Sequence, residues 1–147
     1  MMKLTEIAEM WATDAKIDKL ELGDAAGSID ELHAKYVVHL AHAKLALRSA
    51  DVAYYKMRKL RYRYYRGEMS KEELEQLQWD QYRLNTPLKT EMEDILICDD
   101  HIIKLQDKKE YLTVTVSTLE SIIKALHNRT WNVKNAITWT QYTNGMI

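Results

Sequence analysis

The sequence predicts an all-α protein, an elongated protomer with two long helices and a C-terminal helix in coiled-coil-like packing. Helix breakers are scarce, with four Gly and one Pro in 147 residues, while Leu, Ala, Lys, Glu, Met and Gln are plentiful. Apolar positions recur three and four residues apart over two long stretches, the spacing of a helix packed against a partner. Seams of this length exceed what one small globule covers, so a closed homo-oligomer is the expected assembly.

One domain, 1–147, is the expectation for a chain of this size. A first helix is read at about Thr5–Ala15, with Leu4, Ile7 and Trp11 at helical spacing, and residues 1–27 form this helix and a linker. Gly23 and Gly27 break the pattern, and Ser28 with Glu31 has the form of a capping box. A long helix then spans 28–67, with a seam at Tyr36, Leu40, Ala43, Leu47, Ala50, Tyr54, Met57, Arg61 and Tyr64. Arg61 is the charge on that seam.

Gly67 stops the helix, and residues 68–85 form a connector in which Ser70 and Glu73 make a second capping box. Thr86 and Pro87 signal the start of the next helix, 86–129. Its heptad places Ile95, Ile102, Lys109, Val116, Ile123 and Thr130 on one position and Cys98, Leu105, Leu112, Leu119, Leu126 and Val133 on the other. The β-branched run YLTVTVS at 111–117 is assigned to this helix because no partner strand is visible. A hinge near Asn128 leaves 130–147 as a C-terminal helix whose Trp131, Val133, Ile137 and Trp139 are the candidate oligomerisation residues.

Several classes of chemistry lack an anchor. There is no Gly-rich phosphate loop, CxxC or HExxH, and His39 and His42 have no third metal ligand in register. The acidic residues Glu91, Glu93, Asp94, Asp99 and Asp100 spread around the helix as a solvated face. Cys98, the single cysteine, reads as packing and fits a reducing compartment. No catalytic residue, metal or cofactor is expected. Without a signal peptide or a long apolar run, the expected location is cytoplasmic, away from membranes.

Charge singles out one segment. Residues 51–67 carry six basic and one acidic side chain, whereas the whole chain has a formal charge of −1. Within it, YYKMRKLRYRYYRG puts Lys56, Lys59, Arg63 and Arg66 at i, i+3, i+7 and i+10, one stripe able to track a phosphate backbone, with Tyr65 at its end. Arg58 and Arg61 make the helix end basic around most of its girth. Cations interleaved with aromatics suit sequence-tolerant binding of a single strand. The alternative is a coiled-coil adaptor whose basic helix docks on an acidic protein or membrane surface.

Three blocks, YYRG followed by SKEEL, KTEMEDILICDDHIIKL, and LESIIKALHNRTWNVKNAITW, resemble the phage recombination mediators of the UvsY family. The resemblance covers roughly residues 55–145. It implies a non-enzymatic protein that binds single-stranded DNA and forms a ring of six or seven copies. It further implies contacts with the phage single-strand-binding protein, which it helps displace, and with a RecA-like recombinase, whose filament it stabilises. On this resemblance the DNA-contacting Lys and Arg fall on Lys59 and Arg61, and the assembly region on about Thr130–Tyr142, where WTQY departs from the family's more basic pattern.

Overall fold

The computed structural model describes residues 1–146, and every regular element among them is helical. The six helices are α1 Leu4–Asp14, α2 Leu22–Gly27, α3 Ile29–Tyr65, α4 Lys71–Leu77, α5 Lys89–Ile97 and α6 Asp100–Thr143. The chain forms two compact units, one of residues 1–45 and 112–147 and the other of residues 46–111.

In the first unit part of the expected repeat is buried, while Ile123 is only half-buried and Thr130 is exposed. Leu112, Val116, Leu119, Leu126 and Val133 of α6 are buried, as are Tyr36 and Ala43 of α3 and Ile7 of α1. Ala43 leaves room for a close approach because it has no bulk beyond Cβ. Thr115, Ile122 and Arg129 add a third buried position seven residues apart, widening the stripe beyond a two-position seam. Arg129 ties α1 down: its guanidinium donates to the carbonyls of Asp14 at 2.7 Å and Lys16 at 3.2 Å, satisfying acceptors that a helix C-terminus leaves open. Beside it the Asp14 carboxylate accepts from Lys35 Nζ at 2.7 Å and Tyr36 Oη at 2.8 Å.

The second unit has a smaller apolar centre, Met92, Leu96 and Ile102, covered by Tyr54, Met57, Tyr62 and Tyr65. It contains the end of α3, the α4 connector, α5 and the start of α6. Gly67, at φ +69°, adopts the left-handed conformation that ends α3. Ser70 Oγ accepts from Glu73 N at 3.2 Å, giving α4 its cap.

Several boundaries differ from the sequence reading. The helix expected over 86–129 begins at Lys89 and is interrupted at Cys98 and Asp99, so it is two helices. Cys98 is consequently exposed instead of packed in a heptad core. No hinge occurs near Asn128; α6 continues to Thr143, and the expected separate C-terminal helix is its last part. Ile147, the last residue of that expected helix, lies outside the described residues. The linker around Gly23 and Gly27 is the short helix α2, and Ser28 donates to Ala25 O at 3.0 Å at its end instead of forming a capping box.

Candidate nucleic-acid interface

Five of the segment's six cations lie on the last three turns of α3, and Arg66 follows directly after its end, its N–H still bonded to Tyr62 O at 3.2 Å. Its six cations separate into three environments. Lys56 and Lys59 are exposed and form no ion pair among the described residues. Arg58, Arg63 and Arg66 are each paired near the surface, to Glu93 at 2.7 Å, Glu73 at 2.9 Å and Glu68 at 2.9 Å. Arg61 is buried.

Solvent screening keeps such surface pairs weak, so those three arginines remain exchangeable toward a phosphate. Until exchanged they are neutralised, and the unpaired positive charge of the segment rests on Lys56 and Lys59. Arg48, which the sequence reading left out, is also exposed. At 3.6 residues per turn, Arg48, Lys59 and Arg66 fall within about 20° of one line along α3. The stripe therefore extends two turns N-terminally from Lys56.

Arg61 is held by a different logic. Only 8 % exposed, it donates from Nε to Asp99 Oδ2 at 2.7 Å, and Asp99 is itself only 4 % exposed. Tyr65 Oη donates to the same oxygen at 2.6 Å. The guanidinium carbon lies 4.2 Å from the ring centroid of Tyr64, 4.7 Å from that of Trp79 and 5.1 Å from that of Tyr65. An aromatic box around a planar cation supplies the attraction that water would otherwise provide. The other carboxylate oxygen, Asp99 Oδ1, accepts from the backbone N–H of His101 at 3.0 Å and Ile102 at 3.2 Å, capping α6.

One carboxylate thus starts a helix and neutralises a buried arginine. Burial works against ionisation of Asp99, but the Tyr65 hydroxyl, the Arg61 guanidinium and the Ile102 N–H outweigh it and hold the carboxyl below its ordinary range. The same contact raises the Tyr65 phenol, through burial and then the Asp99 hydrogen bond. Tyr65, expected to face DNA, is half-buried and pinned. Its neighbour Tyr64 donates to Asp80 O at 2.6 Å and packs edge-on to Trp79 with centroids 5.6 Å apart.

Asp99, expected on a solvated acidic face, is buried because it neutralises Arg61, and Trp79 and Tyr82, whose ring lies 5.1 Å from that of Tyr65, were not singled out from sequence. The available signal was Arg61 itself, because a charge on an apolar seam requires a buried partner of opposite sign.

The C-terminal candidates also divide. Trp131 and Trp139 are 64 % and 65 % exposed and Ile137 is partly so, whereas Val133 is buried inside its own unit and cannot offer a surface. Tyr142 stacks on Trp139 at 5.9 Å and extends the exposed aromatic group. Among the described residues no cluster of three His, Cys, Asp or Glu side chains could hold a metal ion, and no helix is long and apolar enough to cross a membrane.

The family of recombination, repair and ssDNA-binding proteins UvsY matches residues 10–146. The chain belongs to the UvsY family. Two crystal structures of the bacteriophage T4 recombination mediator protein UvsY are similar to it in fold. One has a TM-score of 0.85 at 19 % identity and covers 98 % of this chain and 99 % of its own. The second, a different lattice, has a TM-score of 0.82 at 18 % identity over 94 % and 98 %. Among curated proteins nothing matches. The family resemblance carried by the three sequence blocks is thereby borne out for a UvsY-family protein in which most residues differ from the T4 structures.

Proposed function

We propose that this UvsY-family protein is a recombination mediator that holds single-stranded DNA along the outer face of α3, promotes displacement of the single-strand-binding protein and loads or stabilises a RecA-like recombinase filament. The observation that carries the DNA site is the pair of exposed, unpaired cations Lys56 and Lys59 on the stripe that includes Arg48. Lys59 contacts phosphate directly. Arg58, Arg63 and Arg66 join by exchanging their surface carboxylates for phosphate oxygens.

Arg61 acts as a positioning residue. Through Asp99 and Trp79 it fixes the end of α3 against the start of α6, so the lysine stripe is presented on a stiff support. This divides between two roles what the family resemblance assigns jointly to Lys59 and Arg61.

Assembly into a closed ring of six or seven copies, through Trp131, Ile137, Trp139 and Tyr142, repeats the stripe so that weak contacts add along one strand. A strand bent over successive stripes releases its binding protein and is displayed to the recombinase.

Salt titration of oligothymidylate binding tests the site. Lys56→Ala together with Lys59→Ala should reduce the slope of log affinity against log salt by about 1 to 2. A slope equal to that of the unaltered protein overturns the assignment.

A further inference from the structure

Resting on the reading that α3 carries single-stranded DNA, we propose that the open cavity between the end of α3 and the start of α5 receives one nucleobase of that strand, with a neighbouring phosphate held at its rim. The cavity has a volume of about 450 Å³, within the range of small-ligand sites. Tyr62 on the last turn of α3 and Arg66 just beyond its end form one side, and the chain from Thr86 to Lys89 forms the other. Met92, almost fully buried, lies at the base.

The lining matches a nucleotide in its two parts. Tyr62, Pro87 and Met92 give a flat or apolar surface that matches the π-face of a base. Arg66 and Lys89 supply two cations, and no carboxylate lines the space. Two acids hold lining residues from outside it: Glu91 accepts the Leu88 N–H at 3.2 Å, and Glu68 pairs with Arg66 at 2.9 Å, an exposed pair that an incoming phosphate exchanges. Arg66 Nη1 also donates to Tyr62 Oη at 3.2 Å, and its guanidinium carbon lies over that ring at 5.6 Å from the centroid, so cation and ring are held together.

Leu88 is 65 % exposed, an apolar side chain left in water that an inserted base would cover. Continuity with the stripe supports the same occupant. Lys59 precedes Tyr62 by three residues on nearly the same face of α3, and Lys59 to Arg66 is a rise of about 10 Å. A strand held by Lys59 passes this opening.

The test compares oligothymidylate with an abasic strand of equal length, using the full chain. The base-bearing strand should bind roughly tenfold more tightly, the scale of one base stacked on an aromatic ring. Tyr62→Leu should bring the two affinities close together without altering the salt slope. Since Tyr62 also covers Met92 and Leu96, the exposed Leu88→Glu serves as a second variant, with the same expected loss of preference. Photo-crosslinking with a 5-iododeoxyuridine strand should place an adduct on the Tyr62 peptide.

Equal binding of both strands by the unaltered protein, or a preference unmoved by Leu88→Glu, overturns the cavity inference. The DNA reading itself survives that result provided Lys59→Ala still flattens the salt slope. Absence of any slope change in Lys59→Ala would instead remove the reading on which the cavity rests, and the inference with it.

Discussion

The two units of this protein are stabilised by different chemistry. In the first, a repeat of Leu112, Val116, Leu119 and Leu126 buries aliphatic side chains, and Arg129 and Asp14 tie down the end of α1. In the second, a three-residue apolar centre is surrounded by tyrosines and by a buried arginine and aspartate. A seam of leucines is forgiving of partner and register, whereas a cation boxed by Tyr64, Tyr65 and Trp79 accepts one geometry. The contrast places geometric specificity beside the cationic residues of α3 and bulk aliphatic burial in the other unit.

The largest expected effect separates the units most sharply. Asp99→Ala leaves Arg61 buried without a counter-charge and uncaps α6, and should cost about 4 kcal/mol in urea unfolding. Replacing both members by apolar residues, Arg61→Met with Asp99→Leu, should recover a large part of that loss. A loss below about 1 kcal/mol for Asp99→Ala would show that the pair is not what organises the second unit.

Next in size is Leu119→Ala in the first unit, expected to cost about 3 kcal/mol through lost burial and a residual cavity. Its effect should come with unchanged DNA salt dependence, since Leu119 is not part of the basic stripe.

Acid should act on the polar anchors of each unit. The carboxyls of Asp99 and Asp14 both have folded pKa values below the ordinary 3.8. A depressed carboxylate contributes stability above its unfolded value and loses it as pH falls through the folded one. Unfolding followed from pH 7 downward should therefore show this contribution intact to about pH 4 and declining below it. In Asp99→Asn the part of that decline due to Asp99 should be missing.

The smallest stability effect belongs to the surface. Lys59→Ala should change unfolding by no more than about 0.5 kcal/mol, and Arg58→Gln, which breaks the pair with Glu93, by about the same. If Lys59→Ala destabilises as strongly as Asp99→Ala, the division of the basic segment into a binding face and a packing face fails.

Much of the first unit could be read from the chain before folding was considered. Leu112, Leu119, Leu126 and Val133 were on the expected heptad and are buried, because a seven-residue repeat on a helix needs no knowledge of the partner. The break at Cys98 and Asp99 was missed because the repeat carries on through it. What stops the helix is the Asp99 side chain turning back to cap His101 and Ile102, a local competition that apolar spacing does not register.

Of the candidate site, the composition and spacing of the cations were legible, and their pairing was not. Arg58 and Glu93 are 35 residues apart in the chain, and Arg61 and Asp99 are 38 apart. Helical periodicity relates residues three to seven apart and is silent at that range.

The sequence by itself determined an all-helical chain, its apolar repeat, a basic tyrosine-rich helix end and membership of the UvsY family, because periodicity, composition and motif are properties of the chain alone. Only the tertiary structure decided which of those cations face solvent. Lys59 and Arg61 are two residues apart and equally charged, yet a helix turns them about 200° from one another. One meets water and the other meets Asp99, and the packing of α6 made that difference.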